Sequence, residues 1–410
     1  MALFRALPLP TDEVLNHRLL QVATGFDKCF GQSPSGIARA PGRVNLIGEH
    51  VDYEGYAVLP MAIEPSIYVA FRTVKHSKDT TKGKIISVAN AKPQYKAMSL
   101  CMDAKTLQIM QQLDREEAGW AKYVLSGVLG VQKVRPKLFL DDKTELQMLV
   151  DGDIPAGCEP VQFHGTMSTR QNIMWALWES GMDQAVACLA HCGVALYLDF
   201  SSVPWPRKQW MQLLAFNKRV VECALAAKLI AKKAGIAGWR NITRLKLALA
   251  SCSQKEYSIV ELEAEFGEPI EGLYIGSSLE PAMKAVVASA SSFKLQQRAM
   301  HVWGEAERVE QFQTICASLT REVQSLSDQE IGHHFSCQTL YEYSCPELDA
   351  LVDAAINAGA LGARFTGAGW GGCIVALVQS AKVSSFMKNL QSNYYSKHGI
   401  TSAEDITAAM

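Results

Sequence analysis

No stretch of the 410 residues is apolar for long enough to cross a bilayer, which speaks against a helical membrane span. Charge of one sign is not in excess either: 40 Lys and Arg stand against 41 Asp and Glu, the net charge is −1, and the basic residues are scattered. Neither a nucleic-acid footprint nor a polybasic membrane patch is expected from such a pattern, and a small-molecule substrate is. The 11 cysteines, an odd count, form no C-x-x-C pair and fall at irregular intervals from Cys29 to Cys373, as reduced thiols of a cytoplasmic protein do. His333, His334 and Cys337 lack a fourth ligand at regular spacing, so they are read as structural, and no zinc is assigned. The opening MALFRALPLPTDE places an Arg inside a very short apolar stretch followed by prolines and acids, a poor secretory signal. Internal repeats, low-complexity tracts and an obvious linker are absent too.

What is present suits a sizeable core. Hydrophobic residues make up 48% and charged residues 20%, and a chain of this length divides more naturally into two domains than one, with the boundary expected near Ser201 (1–201 and 202–410). The first half reads mainly as strands with interspersed helices: Ser66 to Arg72 alternates, and Leu146 to Val150 and Gly193 to Phe200 are short apolar runs. The second half turns helical. Lys218 to Lys233 reads as amphipathic, with Val220, Val221, Ala224 and Leu229 as its apolar positions and Gly235 as a stop. Ser344 and Glu347 form an S-x-x-E capping box that predicts a helix running to Gly359.

Chemistry concentrates in Ala38 to Ile63, ARAPGRVNLIGEHVDYEGYAVLPMAI. An apolar anchor, VNLIG, lies among three glycines suited to turns, Gly42, Gly48 and Gly55. From that frame hang Arg43, Glu49, His50 and Asp52. Carboxylates accept from sugar hydroxyls, His donates or accepts, and Arg faces phosphate oxygens without losing its charge. By itself such a cluster reads more readily as a solvated turn than as a site. A second landmark is RFTGAGWGGCIV from Arg364 to Val375, where Gly367, Gly369, Gly371 and Gly372 precede an apolar strand. Gly181-Met182-Asp183-Gln184 lies between the two.

The first stretch closely resembles the first signature of the galactokinases, members of the GHMP family of small-molecule kinases. The glycine-rich stretch resembles that family's third signature, and Gly181 to Gln184 resembles its G-x-M-D-Q element. FNKRVVECALAAKLIAKKAG, RAMHVWGEAERV and YEYSCPELDALVD resemble the N-acetylgalactosamine kinases within the same group more than the bacterial galactokinases. The resemblance implies an α+β fold of two domains with the active site in the cleft between them. It implies ATP and Mg²⁺ as cofactors, galactose or N-acetylgalactosamine as the partner, a monomer, and phosphorylation of the anomeric hydroxyl. By the same resemblance Asp183 and Arg43 would take the catalytic roles, Glu49, His50 and Asp52 would bind sugar hydroxyls, and Gly367, Gly369, Gly371 and Gly372 would form the loop beside them.

The chain departs from the family after Asp153-Ile154-Pro155, where a P-x-x-x-G-L-S-S-S element should wrap the nucleotide phosphates at a helix start. It reads PAGCEPVQFHGTMSTRQNIMWALWES instead, without a serine run. The family's acidic Mg²⁺ ligand has no trustworthy counterpart, and Ser180 replaces a glycine in the family's G-G-G-M-D-Q run. Four of the eight tryptophans, Trp175, Trp178, Trp205 and Trp210, crowd this region. About 157–180 and 202–215 therefore read either as out-of-frame or mis-spliced inserts or as a divergent loop in a degenerate paralogue. The C-terminal GITSAEDITAAM also lacks the family's glycine-rich final strand, which would leave a sheet edge exposed. Two classes stay open: a sugar kinase with impaired transfer, and a sugar-binding protein without kinase activity.

Overall fold

The computed structural model describes residues 13–75, 84–102, 120–134, 144–152, 154, 182–191, 194–201, 214–247, 256–275, 279–318, 334–367 and 369–399. The altered phosphate-loop stretch and nearly all of 202–215 lie outside these residues, as does the C-terminal segment from Ile400 onward.

Five strands, β1 (Gly36–Asn45), β2 (Pro60–Lys75), β3 (Lys84–Asn90), β4 (Met98–Met102) and β5 (Thr144–Gly152), form a sheet in the order β1-β2-β5-β3-β4. All neighbours are antiparallel except β3 and β5. Alternation along β2 and β5 explains how the sheet is covered, since successive side chains point to opposite faces. Tyr68, Ala70 and Leu149 pack with Val22 and Phe26 of helix α1 (Glu13–Phe30), while Val69, Met148 and Val150 pack with Val124, Leu125 and Val128 of α2 (Ala121–Val134).

The segment expected as a strand from Gly193 to Phe200 makes only isolated bridges, Val58 to Leu198 and Met61 to Ala195. Residues 60–71 of β2 already pair with β1 and residues 67–75 with β5, so the incoming segment reaches only the start of the strand. It leads from α3 (Met182–Leu189) toward α4 (Leu214–Lys233).

Helix α4 is not the amphipathic surface helix its pattern suggests. Every residue from Val220 to Ala231 is buried, Glu222 and Lys228 included. Their charges are met inside: Glu222 accepts from Arg298 Nε at 2.6 Å, and Lys228 donates to the Arg240 carbonyl. Around α4 gather the antiparallel pair β6 (Tyr257–Ser258) and β7 (Ser292–Phe293), and helices α5 (Ile259–Phe266), α6 (Glu280–Val287) and α7 (Leu295–Ser318). Val51, Val58, Met182 and Phe200 from the first half of the chain sit in this same core.

Helix α8 (Pro346–Asn357) and α9 (Val383–Leu390) pack on the hairpin of β8 (Gly362–Thr366) and β9 (Cys373–Leu377). The expected capping box does not form. Cys345 is the N-cap, and Ser344 Oγ instead donates to Asp349 Oδ1 at 2.6 Å, because Pro346 fixes the first helical position one residue later. Helices thus pack on mainly antiparallel sheets, the α+β architecture expected.

Candidate active site

Strand β1 delivers Arg43. The β1–β2 register shifts between Pro41 and Arg43, so Gly42 serves a bulge instead of a turn; a Cβ there would lie 2.9 Å from Ile63 and 3.1 Å from the Pro65 carbonyl. A bulge re-aims the next side chain. Arg43 Nε donates to Asp183 Oδ1 across 140 residues of chain, and both side chains are nearly buried. Asp183 occupies the first turn of α3, where unpaired backbone N–H groups favour a carboxylate.

Between β1 and β2 the chain makes the turn that carries the remaining candidates, with Gly48 at φ 106° and Gly55 at φ 87°. His50 also has positive φ, 60°, a conformation that costs a non-glycine residue energy and persists only where its surroundings over-determine it. Those surroundings are aromatic. Tyr341 stacks on the His50 ring at 5.2 Å, Tyr343 meets it edge-on at 4.3 Å, and His50 Nδ1 lies 3.1 Å from the Tyr53 hydroxyl. Burial lowers His50 to about 3, so its imidazole is neutral and offers one donor and one acceptor.

Glu49 is 4% exposed and accepts from Thr366 Oγ1 at 3.0 Å. Burial pushes its carboxyl up to about 7 despite Arg364 and Arg43 nearby. Asp52, also buried, lies in the electrostatic reach of Glu54 and Arg244, and its carbonyl closes the turn by accepting from Gly55 N–H at 2.9 Å.

The glycine-rich loop leaves β8 with Gly367, Gly369, Gly371 and Gly372 all at positive φ, and Trp370 at 54°. Trp370 N–H donates to the Tyr343 carbonyl at 2.7 Å. Because Tyr343 also abuts His50, the loop and the turn are neighbours, and Arg43 lies within electrostatic reach of Glu49 in that turn. Of the three residues read as structural, His334 Nε2 lies 2.7 Å from Asp349 Oδ1, Cys337 accepts from Tyr343 OH at 2.9 Å, and His333 lies outside the described residues.

Thr366, Tyr341, Tyr343, His301 and Glu305 were not singled out from the sequence. Their partners lie hundreds of residues away, as with Thr366 Oγ1 accepting from Asn45 N–H at 3.0 Å. A signal exists for four of them in RAMHVWGEAERV and YEYSCPELDALVD, stretches whose resemblance is visible although their chemistry is not.

Comparison with known proteins accords with this geometry. The family model for the galactokinase galactose-binding signature matches residues 24–73, and that for the GHMP kinase C terminal matches residues 320–396. Galactokinase of Dictyostelium discoideum is 30% identical over an alignment of 446 residues covering 91% of this chain and 87% of that protein. Galactokinase of Saccharomyces cerevisiae is 25% identical, with the same coverage of 91% and 87%. Among solved structures, Lactococcus lactis galactokinase complexed with galactose shares the fold at a TM-score of 0.60 and 21% identity, over 93% of this chain and 95% of that one. By sequence signature, by identity over nearly its whole length and by fold, the chain belongs to the galactokinase family of the GHMP kinases.

Proposed function

We propose that this chain is a sugar-1-kinase acting on N-acetylgalactosamine or galactose, with ATP as phosphoryl donor, working as a cytoplasmic monomer of two lobes, 1–201 and 202–410, and transferring phosphate poorly. The observation that carries the reading is the Arg43–Asp183 pair set beside the Glu49–His50–Asp52 turn. Glu49 and Asp52 accept sugar hydroxyls, and neutral His50 both donates and accepts. Asp183 faces the anomeric hydroxyl and takes its proton as the oxygen bonds to the γ-phosphorus; the bond to the β-phosphate oxygen breaks and ADP leaves. Arg43 orients the Asp183 carboxylate and sets a fixed positive charge where phosphate oxygens arrive. Such transfer is largely positioning and charge stabilisation, so these fixed groups are its main contribution.

Among the described residues no group of three His, Cys, Asp or Glu is arranged to hold a metal, and the altered phosphate-loop stretch, beside which Mg²⁺ would bind, lies outside them. The sequence supplies the reason to expect slow transfer: the serine-rich helix start is replaced. Loss of one preorganised donor to developing charge typically lowers rate by about 10²–10³. The test is ATP-dependent phosphorylation of both sugars by the 410-residue chain and by a version carrying P-x-x-x-G-L-S-S-S and G-G-G-M-D-Q. The restored version should turn over far faster. Equal rates would mean that 157–180 is a working phosphate loop, and no turnover by either would favour a sugar-binding protein.

A further inference from the structure

His301, Glu305 and Arg308 fall on one face of α7, four and three residues apart. The Glu305 side chain is completely buried, and burying a carboxylate is costly unless charged and polar partners surround it. Here they do. Its Oε1 accepts from Gly48 N–H at 2.9 Å and Glu49 N–H at 3.1 Å and pairs with Arg364 Nη2 at 2.6 Å. Its Oε2 takes both Nη2 and Nε of Arg308, at 2.8 and 3.1 Å. Burial alone would raise its carboxyl, but Arg364 and then Arg308 hold it well below the usual range.

The neighbouring peptide is fixed as well. His301 Nε2 lies 3.1 Å from the Glu49 carbonyl, which can only accept, so Nε2 carries the proton. Burial lowers His301 to about 4, leaving the ring neutral, and Nδ1 then accepts from Ser336 Oγ at 2.9 Å. Thr366, two residues beyond Arg364 on β8, donates to the Glu49 carboxylate. Helix α7 and strand β8 therefore grip successive peptide groups immediately before His50, the residue held at positive φ.

We propose that Glu305 is a positioning residue of the sugar site: locked by Arg364 and Arg308, its carboxylate accepts from Gly48 and Glu49 and fixes the turn so that Glu49 and His50 face the sugar. This rests on the sugar-site reading above. It also gives β8 a second role, since the strand that leads into the glycine-rich loop supplies the cation that orients the clamp. A merely structural ion pair would matter for stability and leave the affinity of folded protein unchanged.

The test is Glu305→Gln, nearly isosteric, titrated with galactose, N-acetylgalactosamine and ATP while its melting temperature is recorded. Sugar dissociation constants should rise about tenfold or more with ATP binding unchanged, the size expected for losing a charged acceptor. Sugar affinity within about twofold of the parent, in folded protein, would overturn the proposal. Amide hydrogen exchange on the unmodified chain decides the matter should the variant not fold. The Gly48 and Glu49 amides should be as protected as the β1–β2 ladder and slow further with sugar; rapid exchange, or protection indifferent to sugar, would overturn the clamp. Failure of the unmodified chain to take up either sugar would instead sink the sugar-site reading, with protection at the two amides read independently.

Discussion

Asp183 and Arg43 touch in the fold, so a substitution that keeps shape and removes basicity separates orientation from proton transfer. Asp183→Asn should bind sugar as the parent does and lose turnover, by about 10²–10⁴ if the carboxylate acts as general base. Steady-state kinetics on the chain with the restored phosphate loop would show kcat falling with KM little changed. Full retained activity would exclude the proton-accepting role. Asp52→Ala makes the complementary case: charged hydrogen bonds to hydroxyls contribute about 1.5–3 kcal/mol each, so sugar affinity should fall and nucleotide affinity should not. Unchanged sugar affinity would return this segment to a solvated turn.

Glu54 offers a third test at the residue scale. It is fully buried, and its Oε2 accepts from Leu245 N–H at 2.7 Å. Burial pushes its carboxyl up to about 7, against the lowering effects of Leu245 N–H and Arg244. The native state therefore binds the proton more tightly than the unfolded chain, whose carboxyl titrates near 4.5. The stabilisation this gives is complete below about pH 4.5 and lost as pH rises through about 7. Glu54→Gln removes the titration. Urea unfolding should find the variant more stable than the parent by about 1–3 kcal/mol at about pH 8, with the gain vanishing near pH 4.5. Equal stability at the higher pH would mean that the ionised carboxylate is fully compensated.

Among elements, the glycine-rich loop makes the sharpest contrast. Gly369 and Gly371 are both at positive φ, but a Cβ on Gly369 would lie 2.2 Å from the Tyr343 carbonyl, while one on Gly371 meets nothing within 4 Å. Gly369→Ala should therefore cost clearly more than the roughly 1 kcal/mol of backbone strain expected at Gly371→Ala, and should disturb the Tyr343–His50 contact as well. Paired denaturation curves check this, and equal losses would contradict close docking of the loop on Tyr343. The same scale shows what the sequence made readable. Alternation in β2 and the apolar run in β5 were plain because their periods are local. Burial of α4 on every side was not, since Glu222 and Lys228 look like solvated positions until Arg298 and the Arg240 carbonyl meet them. A true capping box also went unmarked, at Ser258 and Glu261 before α5, while the one expected at Ser344 was displaced by Pro346.

At the scale of the whole molecule, the motif residues were legible and their supports were not. Arg43, Glu49, His50 and Asp52 crowd one short stretch, so resemblance could find them together. Glu305, Arg364 and Tyr343 reach the same turn only through folding, from helix α7, strand β8 and the segment before α8. The two cores that enclose this turn join distant parts of the chain: Ile47, Ala57 and Leu59 pack with Val309 and Phe312, and Val51 and Val58 pack with α4. The proposed sugar binding would accordingly be a property of the assembled molecule, and it should disappear with global unfolding instead of persisting in either proposed lobe.

The central claim is that the 410-residue chain holds a working sugar site. Isothermal titration of the intact chain with galactose and N-acetylgalactosamine, beside Asp52→Ala, tests it most directly. The account predicts saturable binding of at least one sugar by the parent and marked weakening in the variant. A folded parent chain that binds neither sugar would contradict it.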